Sequence, residues 1–149
     1  MSKLNLHLVV SFMLMGLLVG SSGFFLLSEE KPKLKKVPIQ KSSPADGAQM
    51  YKQYCATCHG LTGKGDGPAA AALKSPPSNI ALIARHNNGK FPELRVQNII
   101  EGKGSPGAHG SGDMPVWGPI FRQQAGGDQT IMLMRIVNLT KHIESMQLK

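Results

Sequence analysis

Cys55-Ala56-Thr57-Cys58-His59 is the stretch that decides how this chain is read. Both cysteines of the 149-residue sequence lie in it, three residues apart, and an imidazole follows at once. Thiols at i and i+3 on a helical turn share one face. They can reach two points along one edge of a flat group, and the next residue then projects beneath it. Other chemistries compete for such a pair. A thiol–disulfide site calls for a βαβ surrounding, and no stretch here alternates at period two with β-branched residues. A structural zinc site calls for four ligands, and His86, His109 and His142 are too dispersed to complete one. Chance is the remaining alternative.

The Cys-x-x-Cys-His spacing is the attachment signature of haem c. The two thiols would meet the two vinyl groups, and His59 Nε2 would bind the iron. Around this motif the sequence predicts short helices joined by Gly/Pro loops. Ser43-Pro44-Ala45-Asp46 reads as an acidic capping box, with Ser43 as N-cap and Asp46 at N3, opening a helix that runs to about Ala56. Gly60, Gly63, Gly65 and Gly67-Pro68 read as a loop. A short helical stretch over 69–74 is closed by Pro76-Pro77, and Asn79 caps another over 80–85. Pro92 opens a third helix with Leu94, Val96, Ile99 and Ile100 on its apolar face. Residues 102–118 hold six glycines and read as one long loop. Asp128 starts the last helix, where Met132, Ile136, Leu139 and Ile143 form a helical stripe. The class is all-α with much loop, which calls for a function or an internal scaffold.

Composition sets the limits. The chain carries 17 Lys+Arg against 9 Asp+Glu, a net charge of +8, with 41% hydrophobic and 5% aromatic residues. It is neither disordered throughout nor a multi-span membrane protein. Two cysteines are too few for a disulfide scaffold. Few aromatics and scattered arginines argue against a nucleic-acid module. The charge is uneven: residues 45–149 hold 11 basic and 7 acidic groups, so the body carries only +4.

Residues 1–28 read as a membrane anchor or signal segment. From Leu4 to Ser28 there is no formal charge, and the apolar core from Leu8 to Leu27 has the length of a spanning helix. That length favours an uncleaved anchor, although Gly20-Ser21-Ser22-Gly23 offers a small-residue cleavage site. Residues 29–43 read as a basic Pro/Lys tether, and 44–149 as the domain. Counting flanking lysines puts the domain in the cytoplasm; the haem chemistry requires the opposite side.

A sixth iron ligand is sought among Met50, Met114, Met132, Met134 and Met146. Met50 is too close to Cys55 on the same helix, Met132 lies on the apolar stripe, Met134 shares that helix, and Met146 is at its frayed end. Met114 sits in a Gly-rich loop beside Pro115 and can fold over a ring. His109 and His86 remain alternatives.

Residues 43–146 resemble a class I monohaem c-type cytochrome. The resemblance rests on the pentapeptide, on Gly63-Lys64-Gly65-Asp66-Gly67-Pro68, on Gly112-Asp113-Met114-Pro115-Val116-Trp117-Gly118 and on the framing first and last helices. It implies a fold of short helices and long loops around one haem c, bound covalently through Cys55 and Cys58. It implies His59 and Met114 as axial ligands. Pro68 is expected to offer its carbonyl to His59 Nδ1, and Arg85 and Trp117 to donate to the propionates, with a hydrophobic lid as the other reading of Trp117. Gly47 matches the small residue where the first and last helices cross. The aromatic expected opposite it is missing, which leaves the crossing looser or filled by Tyr51 or Tyr54.

With both axial positions filled, the resemblance implies a one-electron carrier and no enzyme active site. Redox partner proteins or subunits of a respiratory complex would face it, and the Met-Pro-Val-Trp-Gly run resembles such subunits. Covalent attachment places the domain on the extracytoplasmic, periplasmic side of an inner membrane. A haem enzyme or gas sensor with a displaceable sixth ligand is the alternative.

Overall fold

The computed structural model describes residues 38–103 and 114–148. The anchor expected over 1–28 and His109 lie outside them, as does most of the expected tether. Among the described residues there is no strand and no helix long and apolar enough to cross a membrane.

Among the described residues, five α-helices and three single 3₁₀ turns follow one another. Helix α1 is Gly47–Tyr54, and α2, Ala56–His59, continues it after a break at Cys55. The 3₁₀ turns are Ala70–Ala72, Ile80–Leu82 and Arg85–Asn87. Helix α3 is Glu93–Glu101, α4 is Trp117–Gln124 and α5 is Gln129–Ser145.

Helix α5 is the spine, and α1, α3 and α4 all pack on it. Its stripe Met132, Ile136, Leu139 and Ile143 is buried. Asp128 caps it, accepting from the Thr130 and Ile131 amides at 2.7 and 3.0 Å. The crossing with α1 is close: a Cβ at Gly47 would lie 2.1 Å from the Asn138 carbonyl oxygen. The place of the missing aromatic is taken by His142, whose ring meets Tyr51 at 5.3 Å between centroids. Tyr51 also donates to the Gly60 carbonyl at 2.7 Å, tying α1 to the end of α2.

Several expectations are corrected. The N-cap of α1 is Asp46, which accepts from the Gln49 amide at 2.8 Å. Ser43 instead opens a turn, its carbonyl bonded to the Asp46 amide. Leu94 is 75% exposed, so the buried face of α3 is Val96 and Ile100. Helix α4 occupies part of what reads as loop and turn: Pro119 sits in its first turn, where an amide hydrogen has no intrahelical partner to lose.

The segment before α1 is exposed at 38–41 but not at Ser42. Arg135, 4% exposed, donates to the Ser42 carbonyl at 2.8 Å and to its hydroxyl at 3.1 Å. Ser42 is thus the first buried residue among those described.

Candidate functional site

A cleft opens where α1, α2, α3 and α5 converge with two loop segments. Its empty space amounts to about 930 Å³, counting the part open to solvent. Leu73, Ile80, Ile83, Val96, Ile99, Ile100 and Ile143 give it apolar walls. Cys55, Cys58, His59, Met114 and Trp117 also line it. Five of the seven residues singled out from sequence thus meet in one place, across 62 residues of chain.

The break at Cys55 is part of how the site is built. Cys55 ends α1 and begins α2, and its carbonyl accepts from both the Cys58 and His59 amides at 3.1 and 2.8 Å. One turn thereby sets both thiols and the imidazole. No disulfide joins the two cysteines. Burial pushes the Cys55 thiol up to about 12, with the neighbouring Cys58 adding to the rise, and burial also raises Cys58. No cluster of three or more metal-binding side chains occurs among the described residues.

His59 Nδ1 lies 3.1 Å from the Ser78 carbonyl oxygen. Burial lowers the imidazole pKa, and the Ser78 contact opposes that fall. A neutral ring with its Nδ1–H held by a carbonyl carries its lone pair on Nε2, the ligating form. The carbonyl expected here was that of Pro68. Pro68 is exposed and does not line the cleft. The amides of Gly67 and Ala69 bond the Cys58 and Thr57 carbonyls, which draws residues 67–69 to the helix backbone instead. Pro76-Pro77 holds the chain extended before Ser78. No side-chain pattern announces a backbone carbonyl, so sequence reasoning missed Ser78.

Met114 comes from the far side of the chain. The stretch that carries it is docked on the end of α3: a Cβ on Gly102, at φ +90°, would strike Val116 at 2.2 Å, and one on Gly118 would strike the Glu101 carbonyl at 2.4 Å. The glycines there serve close approach as well as loop formation. Trp117 is 7% exposed and stacks on Phe121, with Tyr54 tilted against both at 5.3 and 5.6 Å. That aromatic packing agrees with the lid reading of Trp117. Tyr54 lines the cleft as well. Arg85 and His86 stand exposed on a 3₁₀ turn and do not line it.

The residues present fit a haem covalently held: paired thiols, one neutral imidazole, one thioether and apolar walls. No match is found among curated proteins or solved structures. A family model described as "Cytochrome C oxidase, cbb3-type, subunit III" matches residues 42–126, from the buried Ser42 to the turn before α5. As that match covers more than half of the 149 residues and includes the attachment pentapeptide, the chain belongs to this family and is a monohaem c-type cytochrome that carries haem c bound through Cys55 and Cys58.

Proposed function

We propose that the protein is a one-electron carrier whose haem iron is ligated by His59 and Met114, serving an oxidase complex outside the cytoplasmic membrane. The observation that carries this reading is the presence of Met114 in the lining of the same cleft as Cys55, Cys58 and His59. When bound, haem supplies a reversible Fe(III)/Fe(II) couple. His59, with Nδ1 held by the Ser78 carbonyl, keeps one ring orientation through both oxidation states. Met114 offers a soft sulfur that favours the ferrous state and so raises the potential. Apolar walls limit water near the iron. With both axial positions taken, O₂ and peroxide have no open site.

The partner follows from the family description, which names an oxidase subunit. The mild positive charge of the body suits an acidic docking face, of the kind that steers transient redox encounters. Residues 1–28 would anchor the protein, with the domain on the periplasmic side where covalent attachment takes place.

Redox titration of the purified full-length protein tests this reading. The expected result is a single reversible one-electron wave and no spectral change when carbon monoxide is added to the ferrous form. Rapid carbon monoxide binding would move the protein to the haem enzymes and gas sensors.

A further inference from the structure

The Ser78 carbonyl that meets His59 belongs to an exposed segment without regular structure, 19 residues away in sequence. Nothing in its own backbone ladder holds it. Its neighbours are held from two sides. On one, the Gly63 carbonyl accepts from the Ile80 and Ala81 amides at 2.7 and 3.3 Å, and Asn79 Oδ1 accepts from Ala81. On the other stands the segment that follows α5. Gln147 Oε1 accepts from the Ala84 amide at 2.9 Å, while Gln147 Nε2 donates to the Ile80 carbonyl at 2.8 Å and the Ile143 carbonyl at 2.9 Å. The Leu148 amide adds a bond to the Ala81 carbonyl at 2.9 Å. One half-buried amide side chain thus joins the end of α5 to both ends of the 80–84 segment, and Ile80, Ile83 and Ile143 all line the cleft.

We infer that Gln147 is a positioning residue for His59. It does not line the cleft; it fixes the wall segment whose preceding carbonyl holds the ligand's Nδ1–H. Toward this wall it makes one acceptor bond, from Ala84, and one donor bond, to Ile80, while its other donor bond returns to Ile143 of α5. Removing the side chain leaves the Ala84 amide and the Ile80 carbonyl without these partners, and a hydrogen-bonding group left so is costly. Ser78 then loses one of the two anchors at Ile80, two residues downstream, and keeps only the bond to Gly63. The inference rests on the reading of His59 as an iron ligand.

Proton NMR of the ferric full-length holoprotein tests it through solvent exchange at His59 Nδ1–H and at the Ala84 amide. In Gln147→Ala, both should exchange at least about tenfold faster than in the wild type, as expected for loss of more than one hydrogen bond. Gln147→Glu keeps the acceptor for Ala84 but loses both donors, and should fall between the two; it also serves if the alanine variant fails to fold. Glu144→Gln, on the exposed face of α5, should leave both rates unchanged. Faster exchange at Ala84 with an unchanged rate at His59 would overturn the inference, because Gln147 would then hold only the loop. Unchanged rates at both would overturn it too. Failure of the ligation reading is visible separately: the wild-type ferric spectrum would lack hyperfine-shifted His59 ring protons before any variant is made.

Discussion

The α1–α5 frame and the loop wall over 60–84 are built by different means. The frame is held by burial. Met132, Ile136, Leu139 and Ile143 face inward, Gly47 lets the backbones touch, and the Tyr51 ring lies tilted against His142. The wall buries little: Ala81 is its most enclosed side chain in the 78–84 stretch, at 1% exposure. It is held mainly by carbonyls and amides, from Gly63 to Ile80, from Ser78 to His59 and from Gln147 to Ala84. The frame supplies stability, and the wall supplies the placement of one imidazole. Haem bound in the cleft between them would add apolar contact to a body with few aromatics.

That contrast can be broken or sharpened by substitution. The largest effect belongs to the motif itself. Cys55→Ser with Cys58→Ser should abolish covalent haem, read as a haemochrome spectrum lost from the polypeptide after acid–acetone extraction. Haem retained after extraction would remove the thiols from the account. Leu139→Ala strikes the frame at a fully buried position. It should cost about 3 kcal/mol in denaturant unfolding and leave the haem spectrum of the folded fraction unchanged.

Two caps compare the regions directly. Asp128→Ala should cost about 1 kcal/mol of global stability, with the His59 environment untouched. Asn79→Ala should cost less in global unfolding and yet loosen His59, seen as faster Nδ1–H exchange. Equal effects of both on His59 would erase the distinction between frame and wall.

The smallest effect expected is one of pH. Burial lowers the His142 pKa, and the Asp46 carboxylate opposes that fall. The folded state therefore takes up this proton at lower pH than the unfolded chain does. The contribution is complete above the ordinary histidine pKa of about 6.5 and is lost as pH falls through the folded value. His142→Phe keeps a ring against Tyr51 and should flatten the acid side of the stability profile. An unchanged slope would show that other groups set it.

The frame was the more legible half. A period of 3.6 and an Asp before it located α5, and Asn79 announced its turn. The site motif was legible because Cys55, Cys58 and His59 are contiguous and no other cysteine competes. Met114 was reached by elimination. Helix α4 was hidden by Gly118-Pro119, which signals a turn unless the proline falls in a first turn. Asp46 and Ser43 are both good N-cap residue types, and residue type alone does not choose between them. Ser78 and Gln147 were out of reach for a deeper reason. One acts through a backbone carbonyl, the other through side-chain bonds to carbonyls and an amide more than sixty residues away. Neither leaves a pattern in residue type. Pro68 was expected there from the family resemblance alone, and the carbonyl beside His59 Nδ1 is that of Ser78 instead.

Met114→Ala, followed by the ferric absorption spectrum and the midpoint potential, tests the central claim most directly. Ligation by His59 and Met114 predicts that haem stays covalently attached, the weak red absorption of Met–Fe(III) ligation disappears, the potential falls, and cyanide binds rapidly. An unchanged red band and an unmoved potential would contradict it.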